Sequence, residues 1–174
     1  MTRVLNLYGG PGSGKSTLAA YLFSRLKMDE YSVELVSEAA KDQVWEDNKL
    51  RLASQEYIFG VQSLRQRRLK GKVDLIITDS PLPLSIYYNR LLPQQEFKNL
   101  VMSVYSTYTN LNIWVERGCS YQECGRVETE EQAKKNSLNI QNMLSELGIS
   151  CSLDYCSGIT DPEIFYSQVQ ELLV

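Results

Sequence analysis

The sequence predicts an α/β fold of three layers, a parallel sheet covered by helices on both faces. Two observations predict it. Short apolar runs alternate with helical segments along the whole chain, the pattern that parallel strands and their crossover helices produce. A glycine-rich loop, Gly9 to Gly14, joins the first apolar run to the first helical segment. At 174 residues the chain fits one domain, taken as residues 1–174, with no internal repeat or linker to divide it.

The elements follow in order. Val4 to Tyr8 is an apolar run ended by glycines, as a buried parallel strand would be, and Leu18, Tyr21, Leu22 and Leu26 then recur at helical spacing. Ser32 to Glu38 carries the β-compatible Val33, Leu35 and Val36 before the composition turns helical. Lys49 to Lys70 reads as one long helix, weakened at Gly60, since glycine costs about 1 kcal/mol relative to alanine in a helix. Val73 to Asp79 is the most apolar strand. Helical segments around Leu84 to Leu92 and Gln94 to Tyr108 lead to a fourth strand, Leu111 to Glu116.

The polar stretch that follows, about 117–128, lacks periodicity and is too long for a simple turn, so it is expected to be a lid or binding loop. Thr129 and Gln132 form a capping-box pattern for a helix that stops at Gly148. Ile149 to Tyr155 is the fifth strand. Thr160 and Glu163 form a second capping-box pattern, with Pro162 in the first turn of the last helix.

Composition limits the chemistry. With 43% hydrophobic and 22% charged residues the chain is globular, and no apolar run reaches the length of a membrane span. The N-terminus lacks the apolar core and cleavage site of a signal peptide, which predicts a cytoplasmic protein. Cys119, Cys124, Cys151 and Cys156 are then expected as reduced thiols, although the spacing of Cys119 and Cys124 leaves a metal-stapled loop as an alternative. The chain has no histidine, so imidazole bases and histidine metal ligands are excluded, and acid-base work falls to carboxylates, lysine, tyrosine or thiol. A net charge of -3 disfavours a general nucleic-acid coat, leaving DNA as a partner only through a local basic cleft.

Gly9 to Ser16 fits G-x-x-x-x-G-K-[ST] at every fixed position, and Thr17 extends it. In such a P-loop, glycines let the backbone turn its N–H groups around phosphate oxygens while the following helix directs its positive end to the same place. Gly10, Pro11, Gly12, Ser13, Gly14, Lys15, Ser16 and Thr17 are therefore the candidate nucleotide-binding residues, with Lys15 on the β- and γ-phosphates and Ser16 offering a hydroxyl to Mg²⁺. ATP with Mg²⁺ is the expected ligand pair. The guanine-reading Asn-Lys-x-Asp pattern is absent, and the third strand ends in a lone Asp79 followed by Ser80, where an AAA-type motor would carry Asp-Glu. A lone aspartate suits metal coordination in a kinase better than activation of water.

The stretches "GGPGSGKST", "ELVSEAAKD", "QEYIFGVQSLRQRR", "DLIITDSPLPLSIYY" and "GRVETEEQAKK" together resemble compact P-loop nucleoside and nucleotide kinases. Within that group they are similar to small AAA-labelled ATPases, many of them phage-encoded, related to the nicotinamide riboside kinase domain. The resemblance covers nearly the whole chain and implies a five-stranded sheet of order 2-3-1-4-5. It implies that Glu38, after the second strand, orients or deprotonates the acceptor hydroxyl, and that Asp79 joins Ser16 at Mg²⁺. It implies that a glutamine on the long helix, Gln55 or Gln62, reads the substrate, and Arg65 shares their face. Arg117 and Arg126 would close from the lid over the transferring phosphoryl group. Each site has a plainer alternative: Glu38 as a helix N-terminal acid, Asp79 as a turn acid, the lid arginines as exposed charges.

Together these expectations describe an ATP phosphotransferase acting on a nucleoside-like or nucleotide-like small molecule. The turn Thr78-Asp79-Ser80 lacks the arginine of the deoxynucleoside kinases, so the acceptor stays open. The alternatives are a kinase of a 5′-phosphate or modified base in DNA, and an ATPase that regulates a partner.

Overall fold

The computed structural model describes residues 2–118 and 129–173. Five parallel strands form one sheet in the order β2-β3-β1-β4-β5. They are β1 (Arg3–Tyr8), β2 (Val33–Val36), β3 (Leu75–Thr78), β4 (Thr109–Arg117) and β5 (Leu153–Ser157). The helices are α1 (Lys15–Met28), α2 (Ala39–Trp45), α3 (Lys49–Ala53), α4 (Gln55–Arg67), α5 (Leu84–Tyr88), α6 (Gln94–Tyr105), α7 (Glu130–Glu146) and α8 (Pro162–Leu173). The predicted layers and strand order are those observed.

The period-2 alternation of the strands sorts side chains between two cores. Leu5, Leu7, Leu75, Ile77, Ile113 and Val115 face α1 and α8, where Leu18, Leu22, Leu26, Phe165 and Val169 complete the larger core. The intervening residues face the other way. Val4 and Ile76 meet Tyr108 and Val104, while Tyr8 and Trp114 meet Ile140 and Leu144 of α7. A third patch, Phe59 with Leu82, Phe97 and Val101, fixes α4 against α6, with the two phenyl rings edge to face at 5.8 Å.

The helix expected over Lys49 to Lys70 is two helices. Ser54 is extended (ψ 96°), which breaks the hydrogen-bond ladder and turns the chain. The reason lies in the partners: α4 buries Ile58, Phe59, Gln62 and Gln66, whereas α3 buries nothing and leans over the sheet edge. The helix expected to reach Leu92 stops at Tyr88, because the Asn89 side chain accepts from the N–H groups of Leu91 and Leu92 and donates to the Leu92 carbonyl. An asparagine that closes a turn on its own backbone competes with the helix in this way. The fifth strand lies later than expected, at Leu153–Ser157.

The Thr129 and Gln132 capping box is present, with both reciprocal bonds made. The last helix is capped instead by Asp161, whose Oδ1 accepts from Glu163 N–H at 2.8 Å and from Ile164 N–H at 3.3 Å. Thr160 is occupied by accepting the Cys156 N–H. That shift by one residue puts Pro162 at the first helical position, where its missing N–H costs no bond.

Among the described residues no helix is long and apolar enough to cross a membrane. Gly60 lies exposed inside α4, and an added Cβ would meet nothing within 4 Å. Gly60→Ala is therefore expected to raise the unfolding free energy by about 1 kcal/mol, read as a higher midpoint with unchanged slope in urea denaturation.

Candidate active site

Strand register decides where the site stands. Asn6 of β1 and Val36 of β2 both pair with Thr78 of β3, so β2 and β3 end level with Asn6 while β1 runs on to Tyr8 beside β4. Gly9, Glu38 and Asp79 are each one to three residues beyond that line. The helix after β1 covers one face and those after β3 cover the other, so a crevice opens between the carboxyl ends of β1 and β3. Open parallel sheets bind ligands at such switch points.

The first wall is the glycine loop. Gly14 is the N-cap of α1 in the left-handed region (φ 91°), a conformation that glycine adopts without penalty. It brings no capping side chain, and α1 has no acid in its first turn. The first amides of a long helix thus face the crevice with no side-chain acceptor from the cap, which is the condition for anion binding at a helix N-terminus. Lys15 Nζ donates to the carbonyls of Gly9 and Gly10, both at 2.9 Å, holding the ammonium at the loop. Gly10 is pressed against α7: a Cβ there would come within 2.0 Å of Ser137 Oγ and 3.0 Å of the Ala133 carbonyl. Beneath the loop, burial pushes the Tyr8 phenol well above its ordinary pKa and keeps it neutral.

The second wall is the turn after β3. Thr78 is fully buried, and its hydroxyl accepts from the Ser80 N–H at 3.1 Å, closing the turn around Asp79. Asp79 is 7% exposed, and its Oδ1 has no hydrogen-bond partner among the described residues. A buried carboxylate oxygen left unmatched is costly unless a ligand satisfies it. With the exposed Ser16 hydroxyl on the same cavity, Asp79 offers oxygen donors of the kind that could hold Mg²⁺. No cluster of three metal-binding side chains occurs among the described residues.

The third wall is α2. Glu38 is its N-cap, extended at φ -62° and ψ 123°, and makes no side-chain cap bond. The anchor of this wall is Gln62: its Oε1 accepts from Ala39 N–H at 3.0 Å and its Nε2 donates to Thr78 Oγ1 at 3.2 Å. One buried amide thus ties the start of α2 to the end of β3, and with them Glu38 to Asp79.

Gly9, Gly14, Lys15, Ser16, Glu38 and Asp79 line one cavity of about 730 Å³. Of the three α4 residues expected to read a substrate, Gln55 lines it, and Gln62 and Arg65 do not. Seven helical residues advance about 10 Å along the axis, so sharing a face takes Gln62 inward to the sheet. Arg65 is engaged outside, donating to the Ser37 carbonyl and pairing with Asp42. Arg117, at the end of β4, pairs with Glu130 at 3.6 Å and is not a lining residue. Arg126, Cys119 and Cys124 lie outside the described residues. Cys151 and Cys156 are free thiols, and burial pushes Cys151 up to about 11.

The far end of the cavity holds residues that sequence reasoning missed. Lys41, Val44 and Trp45 come from α2, Leu52 and Ala53 from α3, and Tyr88, Arg90 and Leu91 from the end of α5. Trp45 is 68% exposed, unusual for its size, and helical spacing had offered no reason to single it out.

The profile of the AAA domain family matches residues 4–157. The chain belongs to that family. A search of proteins with curated functions finds no match. Among solved structures, the chain is similar to thymidylate kinase from Ehrlichia chaffeensis, with 13% identity and a TM-score of 0.65 over 99% of this chain and 98% of that one. It is also similar to the Mycobacterium tuberculosis APS kinase CysC in complex with AMPPNP and APS, with 13% identity and a TM-score of 0.55 over 99% and 97%. The structure of APE1195 matches at 17% identity and a TM-score of 0.52, over 99% of this chain and 94% of that one. At these identities the likeness establishes the fold, that of P-loop kinases.

Two stability outcomes follow from the walls. Gln62→Leu leaves the buried Ala39 N–H without its partner and removes one of the two bonds to the Thr78 hydroxyl, and is expected to cost about 1 to 3 kcal/mol, measured by urea denaturation. Gly10→Ala is expected to cost about 1 to 3 kcal/mol through overpacking. Part of that loss returns in the Gly10→Ala/Ser137→Ala double variant, because the nearest clashing atom is removed; strict additivity would contradict the contact.

Proposed function

We propose that the protein is an ATP-dependent phosphotransferase that moves the γ-phosphoryl group to a nucleoside-like or nucleotide-like small molecule. The observation that carries this reading is the lining of the cavity: besides the glycine loop and Glu38 it includes the apolar and aromatic side chains of Trp45, Leu52, Tyr88 and Leu91. A hydrolase needs only a place for water beside the γ-phosphate, whereas a compartment with apolar and aromatic walls suits an organic acceptor.

The amides of the glycine loop and Lys15 hold the β- and γ-phosphates. Ser16 and Asp79 hold Mg²⁺, which when bound offsets the negative charge on the phosphate oxygens. Gln55, at the inner end of the acceptor compartment, is the polar group placed to hydrogen-bond a ring. Glu38 accepts the proton of the attacking hydroxyl, a role open to it because the chain has no histidine. Arg117, Arg126 and the segment around them supply positive charge over the phosphoryl group as the site closes.

Lys15→Ala is expected to abolish measurable ATP binding in calorimetry. Glu38→Gln is expected to lower kcat about 100-fold or more with ATP affinity retained, and Asp79→Asn to raise the Mg²⁺ concentration needed for half-maximal rate. ATP consumption is measured against nucleosides and nucleotides, with water as the only acceptor in the control. Turnover that no acceptor increases would overturn the phosphotransferase reading.

A further inference from the structure

Five charged side chains line the cavity: Lys15, Glu38, Lys41, Asp79 and Arg90. Lys15, Glu38 and Asp79 have work in the transfer reaction. Lys41 and Arg90 do not. Neither pairs with a carboxylate among the described residues. The acid beside Lys41 in sequence, Asp42, is committed to Arg65, and Glu46 on the next turn reaches Arg51 at 4.0 Å.

Arg90 is held in place. Its Nη1 donates to the carbonyls of Tyr87 and Asn89, and its guanidinium lies 5.7 Å from the Tyr87 ring centroid. The turn that presents it is fixed by Asn89, 1% exposed, through the bonds to Leu91 and Leu92 already described. Tyr87 in turn donates to Asn136 Oδ1 of α7 at 2.8 Å. Among the described residues no hydrogen bond occupies its Nε or Nη2, leaving the part of the guanidinium that grips a phosphate.

On this reading of the site as a phosphotransferase, we infer that the acceptor is itself anionic: a ring-bearing alcohol with a phosphate group, of the nucleotide class, whose phosphate is gripped by Lys41 and Arg90 while its ring covers Trp45. Glu38 is the N-cap of α2 and Lys41 lies in its first turn, and both line the cavity, so the gripped phosphate stands within about one helical turn of the hydroxyl that reacts. The nucleophile is that hydroxyl and not the gripped phosphate, because Glu38 would repel a phosphate oxygen and attracts a hydroxyl proton. In the step, the hydroxyl oxygen forms a bond to the γ-phosphorus and the bond from that phosphorus to the β,γ-bridging oxygen breaks. ADP leaves with the bridging electron pair, and the proton passes to Glu38. The product carries two phosphomonoesters and no new anhydride.

The test uses nucleosides and their 5′-monophosphates as matched acceptors with the full-length protein. The monophosphate is expected to exceed its nucleoside at least tenfold in kcat/KM, and ³¹P NMR of the product to show a second phosphomonoester. Lys41→Gln and Arg90→Gln should each raise the KM for the monophosphate about tenfold and leave the KM for ATP unchanged, with Lys41→Arg retaining most of the affinity. Equal use of the nucleoside, a phosphoanhydride product, or Lys41→Gln leaving the preference intact would each overturn the inference while the phosphotransferase reading stands. Binding is followed separately by Trp45 fluorescence with AMPPNP present, using Trp45→Phe to subtract the buried Trp114. Binding that prefers the monophosphate and depends on Lys41, without transfer to any acceptor, supports the grip and overturns the phosphotransferase reading. Binding without that preference overturns the grip.

Discussion

The shared register of three parallel strands constrains everything else in this site. Because β1, β2 and β3 share a register at Asn6, Val36 and Thr78, the glycine loop, Glu38 and Asp79 leave the sheet on one edge with no long side chain needed to join them. The helices that follow can then be spread over both faces without moving the chemistry. The loop amides point one way because α1 begins where β1 ends, and α1 is held there by a core that runs from Leu18 to Leu26 against Leu5, Leu7 and Ile77. Core packing thus fixes the direction of a helix N-terminus.

Such an edge has a polar cost, and the structure meets it with buried amides. Gln62 satisfies one orphan N–H of α2 and one strand-end hydroxyl, at 2% exposure. A similar device operates in the second core, where Asn6 donates to Asn110 and Asn112, and Tyr105 donates to Asn112. In both places the amide links elements distant in sequence. A hydrophobic side chain would fill the space but leave its neighbours unpartnered, and such a network stabilises only when complete. The same logic makes Asp79 the exception: it is a lining residue of the cavity, and its buried Oδ1 is left unmatched among the described residues.

What the sequence disclosed depended on range. The glycine loop was legible because its geometry is local: eight adjacent residues between a strand and a helix. The strand order was legible through the alternation of elements and the family likeness. Gln62 was misjudged because periodicity reports the face of a helix and not its depth; two turns separate it from Gln55, and that distance divides a cavity wall from the sheet. The break at Ser54 was hidden because Leu52 and Ile58 keep helical spacing across it, and only the different partners of α3 and α4 separate them. Trp45 and Arg90 were passed over for the same reason. An exposed tryptophan and a loop arginine acquire meaning only when α2, α3 and α5 converge.

That convergence reverses the electrostatics of the chain. The whole protein carries a net charge of -3, yet its cavity sets three cations against two carboxylates. A local positive field inside an acidic molecule draws small anions to the crevice and gives a polyanion little surface to lie along. Lys15 comes from the glycine loop, Lys41 from α2 and Arg90 from the turn after α5, so three separate elements bring positive charge to one cavity. A triphosphate held at the loop engages Lys15, and charge brought in addition by α2 and the turn after α5 suits a second anionic ligand, as the proposed transfer to a phosphorylated acceptor requires.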